Sequence, residues 1–200
     1  YQTMLYSSGS LSRNTLTTSD PYSWGGVLDS DDISLVSDWL LYGRNLLMTG
    51  DHVLADLKFR QSTPGVAFLA AWLPVDVFTE DVRPFIGGQS APLIRPVPGN
   101  ALGLTQEFVA AGICPTLHTF DQIEPQGTSV AFAEWSAPDG SMGSYAPVAG
   151  LVNTTGGSTV VALPVDLMNW WSAPDYSPPV GYASQAAARD VALDQILTFF

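Results

Sequence analysis

Chemistry in this chain has few places to reside, because only two histidines, His52 and His118, and one cysteine, Cys114, are available among 200 residues. The densest group is Gly50-Asp51-His52, where a carboxylate and an imidazole follow the apolar run Asn45-Leu46-Leu47-Met48-Thr49. Such a run followed by a sharp turn into a helix puts Asp51 and His52 at a strand's carboxyl end, where open parallel sheets bind ligands. Asp166, after the apolar run ending at Leu163, belongs to the same edge, as do Ser7 and Ser8 after the first run. Asp51, His52 and Asp166 are therefore the catalytic candidates, and Ser7 and Ser8 are ligand-binding candidates. Against that stands a plain use of each: Asp51 as the N-cap of the following helix, and Asp166 as a turn carboxylate. Asp51 and His52, as sequence neighbours, also face different directions on a helix.

Four further groups are weighed in the same way. Cys114 and His118 lie four apart around Pro115; a nucleophilic thiol needs a base and a lowered pKa, while a free cysteine ordinarily packs as a small hydrophobe. Asp29, Asp31 and Asp32 offer oxygens to Ca²⁺ but lack the full ligand spacing of a calcium loop, and helix capping and dipole complementation explain them better. Trp170 and Trp171, near Pro174, Tyr176 and Tyr182, could stack on a sugar, with Trp24 and Trp135 among the six tryptophans; packing in the core or against another domain is the alternative. Asn153-Thr154-Thr155 matches a glycosylation acceptor and reads first as a turn.

The elements that must position these residues follow from periodicity. Thr3 to Ser7 suits a buried strand. Ser30 or Asp31 caps a helix carrying Ile33, Val36, Leu40 and Leu41, which Gly43 ends. Residues 45–49 form a second strand, followed by a helix with Val53, Leu54 and Leu57. Pro64 opens another helix, with Val66, Phe68, Leu69, Trp72 and Leu73 on its apolar side. Five prolines from Pro74 to Pro98 forbid a helix and predict an irregular β excursion. Residues 101–112 read as a short helix or loop. Strands follow at 129–135, 146–153 and 158–163, the last two joined by Gly156-Gly157 as a hairpin. A Trp/Pro/Tyr loop at 169–182 leads to a closing helix at about 184–199, with Ala188, Val191, Ala192, Ile196 and Phe199 inward. The expectation is one α/β domain over residues 1–200: three layers, a mostly parallel sheet with helices on both faces, and an antiparallel β excursion in the middle.

Nineteen acids against seven bases give a formal charge of −12, a field that repels nucleic acid and anionic membrane surfaces. No run approaches the roughly 20 apolar residues of a membrane span. One cysteine excludes an internal disulfide. Charged residues make up 13% of the chain, against about 25% in ordinary globular proteins; this lysine-poor, Ser/Thr/Gly-rich composition resembles that of secreted bacterial proteins. The abrupt start on a strand-like segment reads as a mature fragment of something longer.

The order of Tyr6-Ser7-Ser8-Gly9, a helix containing Trp39-Leu40, and Gly43-Arg44-Asn45-Leu46-Leu47-Met48-Thr49-Gly50-Asp51 resembles the class I glutamine amidotransferase-like superfamily, a flavodoxin-like fold. Val160-Val161-Ala162-Leu163-Pro164-Val165-Asp166 and the end Ile196-Leu197-Thr198-Phe199-Phe200 look like its final strand and helix. The resemblance implies a cysteine in the tight turn and a His-x-Glu after the late strand. Here the turn reads Thr49-Gly50-Asp51-His52, and the chain has no His-x-Glu. The sequence therefore favours a non-catalytic scaffold or interaction domain, extracellular or on the cell surface, without a cofactor, whose partners are other domains or subunits of a larger assembly. The alternatives are a divergent hydrolase using Asp51, His52 and Asp166, and a carbohydrate-binding module.

Overall fold

A computed structural model describes residues 1–9, 16, 31–86, 92–110, 120–136, 147–172 and 182–200, with the backbone alone at 62, 85, 86, 171, 172 and 182–188. The chain opens with β1 (Thr3–Ser7), α1 (Asp32–Leu41), β2 (Asn45–Thr49), α2 (Val53–Phe59) and α3 (Ser62–Trp72). Next come β3 (Val75–Thr79), a 3-10 turn at Arg83–Ile86, β4 (Leu93–Pro96), β5 (Phe108–Ala110), β6 (Gln122–Pro125) and β7 (Val130–Ser136). It closes with β8 (Val148–Thr155), β9 (Ser158–Leu163), a second 3-10 turn at Leu167–Asn169, β10 (Trp170–Ser172) and α4 (Tyr182–Phe199).

The ten strands among the described residues join one mixed sheet in the order β1-β2-β9-β8-β7-β4-β5-β10, with β3 and β6 branching from β8. Two of the nine pairings are parallel, β1 with β2 and β2 with β9; the other seven are antiparallel. The sheet curls into a half-barrel. This overturns the expected three-layer, mostly parallel sheet: the antiparallel strands are the body of the fold rather than an excursion within it. Part of the difference lies at the two-residue turn Gly156-Gly157, with φ of 59° and 85°. It folds β9 straight back on β8, Thr155 opposite Ser158, so the strand that lies beside β2 arrives from a hairpin and not from a helical crossover.

The parallel corner β1-β2-β9 is nonetheless built as apolar runs require. Leu46 and Met48 of β2 face a core shared with Ile33, Val36 and Leu40 of α1 and with α2 and α3. Leu47 faces the other core, with Phe108, Trp135, Trp170, and Ala192 and Ile196 of α4. A strand covered on both faces is apolar throughout. Asp31 caps α1, its Oδ1 accepting from the Ser34 N–H at 3.1 Å. Leu41, expected on the buried stripe, is 70% exposed. Asn169–Tyr182, expected as a loop, begins instead with the 3-10 turn and β10, whose Trp170 pairs with Ala110.

Gly150 of β8 is set by packing. A Cβ there would lie 2.5 Å from the Phe132 ring, and both residues are in the core. Gly150→Ala therefore lowers stability by about 2 kcal/mol through overpacking, and Phe132→Leu in the same chain returns about 1 kcal/mol of that loss as a coupling. Urea unfolding of the two single variants and the double variant measures this; strictly additive losses would contradict the contact.

Candidate functional site

The ends of β1, β2 and β9 are tied together by backbone hydrogen bonds: Ser8 N–H donates to Thr49 O at 2.9 Å, Gly50 N–H to Leu163 O at 3.3 Å and Asp51 N–H to Gly9 O at 3.2 Å. Gly50 can be nothing larger, because a Cβ on it would stand 1.8 Å from Ser8 Oγ at a φ of +150°. Val148 of β8 pairs with both Glu134 of β7 and Ile123 of β6. β6 therefore meets β8 on the edge opposite β7, the edge that β9 occupies from Leu151 to Thr155. The sheet divides there, and Asp121, just before β6, and Asp166, just after β9, are brought to the start of α2.

Four titratable side chains converge in this knot. Asp166 Oδ1 accepts from the Ser7 hydroxyl at 2.8 Å, and Asp51 Oδ1 accepts from the Asp166 backbone N–H at 3.0 Å. Asp121 Oδ2 accepts from the N–H groups of Leu54 at 3.2 Å and Ala55 at 2.9 Å, and its Oδ1 lies 3.4 Å from His52 Nδ1. The cap of α2 is thus a carboxylate 67 residues along the chain. Asp51, expected as either that cap or a catalytic group, spends an oxygen joining the β2 turn to the β9 turn. The N-cap position falls on His52, whose side chain makes no capping bond.

Burial is the dominant force on both members of the His52–Asp121 pair. It pulls the His52 pKa down, but the contact with Asp121, with Asp51 and Glu80 behind it, outweighs that and leaves it raised. Burial drives Asp121 up, against the opposing effects of His52 and the Ala55 and Leu54 N–H groups. An imidazole backed by a carboxylate can serve as a general base. However, the Ser7 hydroxyl donates to Asp166, and His52 is 6% and Asp121 0% exposed.

The structure thus brings Asp51, His52, Asp166 and Ser7 together, with Ser8 beneath Gly50. Asp121 was missed: nothing in Phe120-Asp121-Gln122 distinguishes it from any loop acid, since its partners are distant in sequence. Buried Asp56, whose Oδ2 accepts from Gln61 Nε2 at 3.1 Å, was missed as well, although this partner is only five residues away. The other candidates lie apart. Asp31 is a cap, Asp32 opens α1, and Asp29 lies outside the described residues. Trp170 is fully buried against Phe108, ring centroids 5.0 Å apart, which closes it to stacking on a sugar. The Trp171 and Tyr182 side chains, Trp24, Cys114, His118, Pro174 and Tyr176 lie outside the described residues. Asn153 is 2% exposed, and its amide donates to Trp72 O and accepts from Thr128, so it is closed to a glycan. Among the described residues, no three His, Cys, Asp or Glu side chains group to hold a metal, and no helix is long and apolar enough to cross a membrane.

Asp121→Ala removes the acceptor of two N–H groups and strands His52, costing about 3 kcal/mol in chemical denaturation; a loss below about 1 kcal/mol would contradict the cap. The raised His52 pKa fixes the sign of a pH effect. Its stabilisation is full below the ordinary value of 6.5 and fades as pH rises through the folded-state value. Unfolding free energies from pH 6 to 9 should therefore fall in the wild type more steeply than in His52→Gln; parallel curves would contradict the pairing.

No family model matches the chain, and no curated protein does. Solved structures similar to it include cytoplasmic protein STM3548 from Salmonella typhimurium, with 12% identity over 99% of this chain and 71% of that one at a TM-score of 0.56. Cytoplasmic protein STM1381 from Salmonella typhimurium LT2 matches at 14% identity over 100% of this chain and 71% of that one, TM-score 0.51. A cold-adapted β-galactosidase from Rahnella sp. R3 aligns at 16% identity and a TM-score of 0.49 over 84% of this chain, which spans 21% of that enzyme. At these identities the likeness to the two Salmonella proteins is one of fold alone.

Proposed function

We propose that this chain is a non-catalytic interaction domain of a larger protein. One observation carries the reading: Asp51, His52, Asp121 and Asp166 are 3%, 6%, 0% and 7% exposed, and Asp51 Oδ1, Asp121 Oδ2 and Asp166 Oδ1 accept from backbone N–H groups and the Ser7 hydroxyl within the fold, with Asp121 Oδ1 3.4 Å from the imidazole. Groups consumed in this way hold strand ends together and are shut off from a substrate. Leu35, Leu41 and Tyr42, 67%, 70% and 78% exposed at α1, are large apolar groups of the kind that partners cover.

Kinship with class I glutamine amidotransferase-like domains belongs to the same proposal, supported by the β1-α1-β2 unit and the tight turn after β2. It is weighed down by the absence of the cysteine and the His-x-Glu. An extracellular or cell-surface placement rests on composition, and the cytoplasmic description of the two Salmonella proteins counts against it; the interaction reading stands in either compartment.

The test is hydrolysis of p-nitrophenyl acetate, p-nitrophenyl phosphate and glutamine by the wild type, Asp51→Asn and His52→Gln. The expected rates all equal that of buffer. Turnover by the wild type that either substitution abolishes would overturn the reading in favour of a carboxylate/imidazole hydrolase.

A further inference from the structure

We propose that the outer edge of β1 pairs with the same edge of a second copy of this chain, antiparallel and centred on Leu5. This deepens the interaction reading, rests on it and names the partner. β1 stands at one end of the sheet's main path, and its register with β2 is unbroken from Thr3 opposite Asn45 to Ser7 opposite Thr49. Gln2 O accepts from the Asn45 N–H, and the Ser8 N–H donates to Thr49 O. Along this parallel ladder the even-numbered residues therefore bond β2, and the odd-numbered ones turn their N–H and C=O groups outward. Among the described residues, none bonds the outward groups of Thr3, Leu5 and Ser7.

Nothing on β1 guards that edge. Exposed edges are ordinarily blunted by a charge, a proline or a bulge. Residues 1–12 hold no charged side chain and no proline, and the one-to-one register leaves no bulge. Side chains of a strand alternate between faces. Met4 and Tyr6 pack on the core that α1 covers, which puts Thr3, Leu5 and Ser7 on the other face. There α4 covers Leu47 of the neighbouring strand with Ala192 and Ile196, yet Leu5, at the middle of β1, is 52% exposed.

Charge selects a second copy and its direction. At a net charge of −12 two copies repel each other over most of their surface, and an uncharged strand is a place where they can meet. The head of β1 lies beside Arg44, which precedes Asn45 and is held over the Trp39 and Tyr42 rings. Its tail carries Asp166, bonded to Ser7. A two-fold axis through Leu5 lays the head of each strand on the tail of the other, basic end toward acidic end, whereas a parallel pairing sets like ends together. In that register Leu5 packs on Leu5 of the partner subunit and Thr3 faces Ser7 of the partner subunit, an apolar pair flanked by hydroxyl pairs. A pairing of five residues is small beside the roughly 1,200–2,000 Å² of a standard interface, which makes the dimer weak and dependent on concentration.

The test is sedimentation equilibrium of the chain from about 10 μM to about 1 mM, with amide exchange read by NMR at both ends of that range. The mass should rise toward that of a dimer, and protection of the Thr3, Leu5 and Ser7 amides should rise with it. The Met4 and Tyr6 amides, bonded to β2, should be equally protected throughout. Leu5→Lys sets like charges opposite each other and should weaken association about tenfold. Leu35→Lys, the same charge change at an exposed leucine of α1, should leave it unchanged. A monomer at the highest concentration would overturn the proposal. So would protection of the odd-numbered amides that does not depend on concentration, which would mean that the chain covers its own edge, or a dimer that Leu35→Lys weakens as much as Leu5→Lys, which would put the contact on α1. Failure here removes the dimer and leaves the interaction reading with a different partner; hydrolysis of the chromogenic substrates removes that reading by a separate measurement.

Discussion

The first turn of α2 presents backbone N–H groups that no residue of the helix can satisfy, and they are buried where β9 leaves β8 and β6 meets it. The Asp121 carboxylate resolves this, accepting from Leu54 and Ala55 and lying against His52. An unpaired N–H or an unpaired carboxylate in that position would cost as much as several surface contacts contribute, so each demands the other. The rest of the corner follows from the placement of α2: Gly50 must pass over Ser8, Asp51 must reach the Asp166 N–H, and Asp166 then turns to Ser7.

On the proposed reading, that logic accounts for why residues with catalytic chemistry meet here as structural ties. A hydrolase site needs a nucleophile on the base and room for a substrate. Here the Ser7 hydroxyl is held by a carboxylate, the imidazole is held by another, and all the acids are covered. The same residue types that suggest chemistry in a list become structural ties once their hydrogen bonds are assigned.

How far the sequence discloses this follows from the range of each interaction. Local signals carry well: Asp31 caps α1 because its acceptor is three residues from the N–H it serves, the apolar run Leu46-Leu47-Met48 is buried on both faces as its composition demands, and Gly156-Gly157 makes the hairpin. The gathering of Ser7, Asp51 and Asp166 at strand ends is legible because parallel β1, β2 and β9 end together. What is hidden depends on distant partners. The sheet is mostly antiparallel in part because β9 joins β2 after a hairpin return, a choice of neighbour that no periodicity encodes. Asp121 carries no local mark, and Asp51 exchanges its expected role as a cap for a bond to a residue 115 positions away. Leu41 is exposed where periodicity would bury it, because the helix edge is set by packing rather than by its own neighbours, while Trp170 takes the core-packing alternative in the short strand β10.

Native-state hydrogen exchange at the Leu54 and Ala55 amides tests the account most directly, because the first N–H groups of a helix ordinarily exchange fast for want of an intrahelical acceptor. Held by a buried carboxylate, both should exchange only through large openings, with protection close to that of the β2 amides. Exchange at the rate of exposed first-turn amides would mean that Asp121 does not hold α2, and that the polar knot is open to solvent and to substrates.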